Sequence, residues 1–261
     1  MQNQGAKIVM VTGATSGIGK ATAQLFAKKG YNLIITGRRT ELLENLKEKI
    51  KRKYAVRVKT LEFDVRKLDE VRSAFQSLDE NWGDIDILVN NAGLAKGFDF
   101  IDEGNTEDWD VMIDTNLKGL LYVTKMVTPR MKKLGKGHII NICSTAAYET
   151  YPKGNVYCAT KAAVKALTRA MRLDLYQHNV RVSQVSPGHT EDTEFALVRF
   201  DGDENKAKIY EDFTPLRAKD VADAVFYVAT RPKHVNIQEL VLMGSQQASS
   251  NFIHRGGRLT D

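Results

Sequence analysis

Ser144, Tyr157 and Lys161 are the residues whose types and spacing could do chemistry. Tyr157 and Lys161 stand four positions apart, so on a helix their side chains emerge one above the other on the same face. A phenol in water ionises near pKa 10, too high for a base at neutral pH, and a neighbouring cation lowers that value. Each tenfold gain in acidity corresponds to about 1.4 kcal/mol of preferential interaction with the phenolate. A Tyr157 tuned in this way could take or give a proton near pH 7, as general acid–base catalysis demands. Ser144, thirteen residues upstream, adds a hydroxyl able to donate to a substrate oxygen. Tyr-x-x-x-Lys by itself also describes many solvated helix faces, so the elements around the pair must carry the reading.

Those elements alternate. Lys7 to Thr12 is a short β-branched apolar run, the pattern of a strand buried on both faces. Gly13-Ala14-Thr15-Ser16-Gly17-Ile18-Gly19 follows at once and opens a helical pattern through Lys29. Glycines there let backbone approach a phosphate, and a helix N-terminus offers free N–H groups to it. The spacing Gly-x-x-x-Gly-x-Gly could also serve only as a tight connection. Tyr31 to Thr36 reads as a second strand. Where an NAD-selective fold usually places a carboxylate, this chain has Gly37 and then Arg38 and Arg39. Two guanidinium groups would pair with a 2′-phosphate, which favours NADP(H) over NAD. The alternative is a basic start to the helix Thr40 to Lys53.

Val56 to Phe63 reads as a third strand ending at Asp64-Val65, where a carboxylate could accept from an adenine amino group. A helix over Lys67 to Asn81 and a strand over Ile85 to Val89 lead to Asn90-Asn91-Ala92-Gly93. Thr106 to Pro129 is mostly helical, its apolar stripe Trp109, Met112, Ile113, Leu117, Leu120 and Leu121 interrupted by Asn116. His138 to Cys143 is a fifth strand that delivers Ser144 at its carboxyl end, where ligands of open α/β sheets bind. The helix carrying Tyr157 and Lys161 runs to about Gln177, and Val180 to Val185 is a sixth strand. Pro187-Gly188 and the polar stretch His189 to Asp212 lie where a substrate lid would fit, or form a surface excursion. Asp220 to Thr230 is helical and Glu239 to Met243 a last strand. Strand–helix alternation with short connections predicts an α/β fold, a Rossmann-type doubly wound parallel sheet of seven strands.

At 261 residues the chain is expected to be one domain. A cofactor half spans about 7–144, the catalytic helix and lid about 145–245, and a tail rich in Ser, Gln and Gly spans 246–261. Hydrophobic content of 43% and charged content of 27% suit a soluble globular protein. No apolar run approaches the roughly 20 residues that cross a bilayer, and Met1–Gly5 is too short and polar for a signal peptide, so a cytoplasmic protein is expected. The net charge of +6 is spread among acidic residues, which argues against nucleic acid and for a modest field that gathers small anions. Cys143 and Cys158 fit a reducing compartment and read as space-filling residues, and neither they nor the five histidines have metal-ligand spacing.

With the glycine turn, Asn90-Asn91-Ala92-Gly93, Asn116, Ser144, Tyr157-x-x-x-Lys161 and Pro187-Gly188 all in order, the chain resembles the short-chain dehydrogenase/reductase family from residue 7 to about 245. The resemblance implies that Tyr157 is the acid–base and that Ser144 orients the substrate oxygen. It further implies that Lys161 lowers the tyrosine pKa and holds the nicotinamide ribose, while Asn116 supports a water-linked proton relay. Its cofactor contacts would be Gly13, Thr15, Ser16, Gly17, Ile18, Gly19, Arg38, Arg39, Asp64, Val65, Asn91, Ala92, Gly93, Tyr157, Lys161, Pro187, Gly188, Thr190, Thr193 and Phe195, with Pro187 to Phe195 over the nicotinamide.

Further stretches resemble one branch, the NADP-dependent 3-hydroxy acid dehydrogenases. They are Asp114-Thr115-Asn116 with Lys118-Gly119, Gly154-Asn155-Val156-Tyr157, Thr193-Glu194-Phe195 with Val198-Arg199-Phe200 and Gly202-Asp203, and His234-Val235-Asn236-Ile237. That branch oxidises serine and allo-threonine and reduces malonic semialdehyde, which implies a homotetramer acting on short 3-hydroxy acids. Arg199 is the expected partner of a substrate carboxylate, since Arg matches it bidentately. Arg255 and Arg258 make the tail more basic than the branch leads one to expect. The rival readings are a reductase of sulfoacetaldehyde, a diketone or a steroid, and a catalytically silent NADP-binding regulator. A regulator would be free to lose Ser144, Tyr157 or Lys161, and all three stand.

Overall fold

The computed structural model describes residues 6–259; the Met1–Gly5 segment of the signal-peptide argument lies outside the described residues. The first half of the chain runs β1 (Ile8–Val11), α1 (Gly17–Lys28), β2 (Asn32–Gly37), α2 (Thr40–Lys53), β3 (Val58–Glu62), α3 (Leu68–Gln76) and β4 (Ile85–Asn90). Then come α4 (Thr106–Ile113), a π-helical segment (Asp114–Gly119), α5 (Leu120–Leu134), β5 (Gly137–Ile142), α6 (Asn155–Leu175) and β6 (Val180–Pro187). The short elements β7 (Thr190–Glu191), α7 (Phe195–Arg199), α8 (Glu204–Ala207) and β8 (Leu216–Arg217) precede α9 (Ala218–Ala229) and β9 (Glu239–Leu242).

Seven strands form one parallel sheet in the order β3-β2-β1-β4-β5-β6-β9. Apolar side chains alternate across it. Val9, Val11, Leu33, Ile35 and Val89 meet Phe26 of α1 and Val225 of α9 on one face. Met10, Ile34, Leu88 and Ile139 meet Val127 and Met131 of α5 and Met171 of α6 on the other. Because both faces are covered, the strands carry continuous apolar runs rather than a polar alternation. The strand order reverses between β1 and β4, which opens a crevice beyond the carboxyl ends of the strands.

Several boundaries differ from expectation for local reasons. Helix α3 stops at Gln76 rather than Asn81, because the Ser77 hydroxyl donates to the Ala74 carbonyl and Asp79 accepts from the Asn81 N–H, turning the chain. The stretch beginning at Thr106 is broken by the π segment and then continues past Pro129 to Leu134. Pro129 removes the N–H that would bond the carbonyl four residues back, and Lys125 at that position is exposed to water. The expected apolar stripe splits, since Met112 and Leu120 are buried while Ile113 and Leu121 are exposed. Helix α9 starts two residues early, with Asp220 accepting from the Arg217 N–H at 2.7 Å. The stretch His189 to Asp212 is not featureless: β7 pairs with β8, and α7 and α8 follow.

Candidate active site

Thr12 and Asn91 build the turn between β1 and α1. The Thr12 hydroxyl accepts from the N–H groups of Asn91 and Ala92, both at 3.0 Å, and the Asn91 amide donates to the carbonyls of Thr12 and Gly13 at 2.9 and 3.1 Å. Asn91 therefore braces the glycine turn from below. Gly13 and Gly17 lie in the left-handed region, at φ of 64° and 50°. Gly19 is needed for space, since a Cβ there would collide with Asn91 Nδ2 and the Gly13 carbonyl.

Strand β5 delivers Ser144, whose hydroxyl oxygen accepts from the Ala146 N–H at 3.1 Å. Across from it, the first turns of α6 place Tyr157 and Lys161, both buried. Asn116 sits within the π segment, where its side-chain oxygen accepts from the Leu94 N–H and its nitrogen donates to the Leu94 carbonyl and the Thr160 hydroxyl, at 2.9 to 3.0 Å. Thr160 in turn donates to the Tyr157 carbonyl at 2.8 Å. The Asn116 side chain is thus committed to tying the loop after β4 to the catalytic helix.

A cavity of about 860 Å³ runs from the glycine turn to Ser144 and Tyr157. Every residue expected to touch cofactor or substrate lines it except Gly19, and Asn116 also stands behind the wall. The strip Pro187 to Phe195 borders it: Thr193 packs on Gly17, and the Phe195 ring meets the Tyr157 ring edge-on at 5.5 Å. Close-approach glycines at one end, paired arginines beside them and a hydroxyl–phenol–ammonium group at the other end fit a phosphate-bearing dinucleotide with its reactive ring near Tyr157. The family model of short chain dehydrogenases matches residues 7–202. The chain belongs to that family.

Relatives within the family are close over the full length. The chain is 46% identical over 250 residues to an NADP-dependent 3-hydroxy acid dehydrogenase of Salmonella typhi, covering 95% of this chain and 99% of that one. It is also 46% identical over 247 residues to sulfoacetaldehyde reductase 2 of Chromohalobacter salexigens, covering 94% and 97%. Among solved structures, the closed form of serine dehydrogenase complexed with NADP+ superposes with a TM-score of 0.89 at 44% identity, covering 95% of this chain and 99% of that one.

Four ionisable groups of the site have surroundings that the sequence does not specify. Burial pushes the Tyr157 phenol well above its ordinary range, opposed only in part by the Ser144 hydroxyl and the Arg199 guanidinium. Lys161, expected to lower it, points its ammonium at the Ile142 carbonyl (3.1 Å), with Nζ 5.9 Å from the centre of the Tyr157 ring. Burial pushes the Lys161 pKa downward, so desolvation works against the charged form of both groups. Asp64, expected to accept from adenine, gives both carboxylate oxygens to Arg66 at 2.6 to 3.0 Å, with Arg38 3.8 Å away. Arg39 is forked onto Glu194 of the lid.

Arg199 is 7% exposed and so belongs to the cavity wall rather than the surface. Its guanidinium donates to the Tyr151 hydroxyl at 3.1 Å and to the Gly97 carbonyl at 3.4 Å, and lies over the Phe98 ring at 4.6 Å. Among the described residues it makes no ion pair. Tyr151, Phe98, His189 and Tyr210 also line this end of the cavity, as do Ser250, Asn251, Ile253 and Arg255 of the tail. None of these has a local sequence signal. Gln247 shows why: its side chain accepts from the His189 N–H and meets the His189 ring nitrogen at 2.8 Å, a contact across 58 residues. Burial raises the Cys143 and Cys158 thiols, which suits inert, space-filling residues. Among the described residues no helix is long and apolar enough to cross a membrane.

Proposed function

We propose that this short-chain dehydrogenase exchanges hydride between NADP(H) and a short 3-hydroxy acid or its semialdehyde, of the serine, allo-threonine or 3-hydroxypropionate type. The observation that carries this reading is the buried guanidinium of Arg199, 5.9 Å from the centre of the Tyr157 ring and without a carboxylate partner among the described residues. A buried cation is costly unless paired, and a small anionic substrate reaching Tyr157 supplies the pair. The names of the relatives point the same way.

The bound nicotinamide supplies the hydride donor or acceptor. In the reducing direction, the Tyr157 phenol, held neutral by burial, gives its proton to the carbonyl oxygen while the Ser144 hydroxyl donates to that same oxygen as charge develops. In the oxidising direction Tyr157 takes the hydroxyl proton, which requires a cation at the phenolate. Two cations stand 5.9 Å from the centre of its ring, Arg199 and Lys161, and in this reading Lys161 supplies the cation by turning from the Ile142 carbonyl towards the phenolate. The lid strip with Phe195 keeps water from the reacting atoms.

A sulfonate aldehyde is the second reading. Its charge would suit Arg199 equally, and a sulfoacetaldehyde reductase is among the full-length relatives. Following NADPH absorbance with serine, allo-threonine, 3-hydroxypropionate and sulfoacetaldehyde ranks the two. Activity on neutral diketones exceeding that on every acid would overturn both. A homotetramer, implied by the family resemblance, belongs to the same proposal and is checked by light scattering on the purified protein, and the cytoplasmic location by cell fractionation.

A further inference from the structure

Arg39 is held by the lid through a fork. Its Nη1 donates to Glu194 Oε1 at 3.0 Å and its Nη2 to Oε2 at 2.8 Å, while Nη2 also reaches the Thr15 hydroxyl at 2.8 Å and the Ser16 hydroxyl at 3.3 Å. Glu194 comes from the strip 155 residues away, between Thr193 on Gly17 and Phe195 on Tyr157. Both side chains line the cofactor cavity and remain nearly half exposed, at 45% and 43%. Two carboxylate oxygens in a guanidinium fork imitate two oxygens of a phosphate.

We propose that Glu194 is a cofactor-specificity residue, a carboxylate seated on Arg39 that the 2′-phosphate of NADP(H) must displace. The proposal rests on the reading of Arg39 as a ligand of that phosphate. A phosphate dianion and a carboxylate cannot share one fork without strong repulsion, and a dianion outcompetes a monoanion for it. Solvent reaches the pair, so the exchange needs no buried charge. A ribose that ends in a 2′-hydroxyl has no charge to exchange and leaves Arg39 on Glu194. The discrimination between the two cofactors is therefore set by the difference between phosphate and Glu194 on one guanidinium, and Glu194 moderates it.

The test titrates the purified full-length protein with NADPH and NADH, reading cofactor fluorescence rather than turnover. Glu194→Gln keeps the shape and removes the competing charge. It should tighten NADPH about two- to five-fold, the range an exposed ion pair commands, and leave NADH unchanged. Glu194→Asp, which keeps the charge, should show no such NADPH-specific tightening. Arg39→Ala separates the proposal from its premise: it should weaken NADPH and spare NADH, and Glu194→Gln added to it should then change nothing. If Arg39→Ala weakens NADPH but Glu194→Gln leaves it equal or weaker, or moves both cofactors alike, Glu194 is not the displaced group. Should Arg39→Ala affect both cofactors equally, the premise itself fails.

Discussion

The Arg199 guanidinium and the Tyr157 ring lie on one cavity wall, 5.9 Å apart, with Tyr151 accepting a hydrogen bond from the guanidinium. That spacing puts a fixed cation beside the ring whose hydroxyl would exchange a proton. Arg199→Lys should raise KM for hydroxy acids about ten- to hundred-fold through loss of the fork, and change KM for neutral alcohols little. Equal changes for acids and alcohols would remove Arg199 from substrate binding. Arg199→Ala should behave alike, and thermal unfolding identifies any loss that comes from its packing on Phe98.

Tyr157→Phe should lower turnover about 10²- to 10⁴-fold while NADPH binding persists, because the ring and its contact with Phe195 remain and only the transferable proton is lost. Full turnover by the variant would take proton transfer away from Tyr157.

Because burial raises the Tyr157 pKa, its phenolate is scarce at neutral pH unless a cation approaches. Oxidation should therefore rise with pH as the phenol ionises. Removing the ammonium in Lys161→Ala disfavours the phenolate and should move that rise upward by at least about one pH unit, a loss of some 1.4 kcal/mol. Reduction, which uses the neutral phenol, falls off through the same ionisation, so its alkaline limb should move upward with it. An unchanged oxidation profile would mean that Lys161 does not act on the phenol.

His138 is buried between β5 and β6 with Nε2 2.7 Å from the Ser183 hydroxyl, and burial lowers its pKa to about 3. The unfolded chain takes up a proton near pH 6.5, whereas the folded protein resists until about 3. Its stabilising contribution is thus present above 6.5 and is lost as pH falls through that window, by about 1.4 kcal/mol per pH unit. Denaturant unfolding of His138→Gln should show a shallower acid limb than the parent protein. Parallel limbs would point to other groups.

Gly19→Ala should cost about 1–3 kcal/mol of stability and weaken dinucleotide binding, since its methyl would push Asn91 and the Gly13 carbonyl apart. Gly83→Ala is the control, with nothing nearer than 3.9 Å to the added carbon and no left-handed backbone. Matching melting curves for the two variants would show that the glycine turn yields without cost.

The order of strands and helices was readable from the chain because a parallel sheet covered on both faces demands short continuous apolar runs, and Val9–Val11 and Leu33–Ile35 are such runs, β-branched and bounded by turn residues. The reactive trio was readable too, since Tyr157 and Lys161 are fixed relative to each other by a single helix and Ser144 by the end of a single strand. Charges and hydrogen bonds were not. Where Lys161 points depends on the Ile142 carbonyl of another element, the engagement of Asp64 depends on the conformation of Arg66, and Arg39 is claimed by a carboxylate 155 residues away. The neutral state of Tyr157 and the burial of Arg199 depend on the lid and on what packs beneath it. Periodicity and local spacing are properties of a segment, whereas desolvation and ion pairing belong to whatever the folded chain brings alongside, and only the tertiary structure decides those.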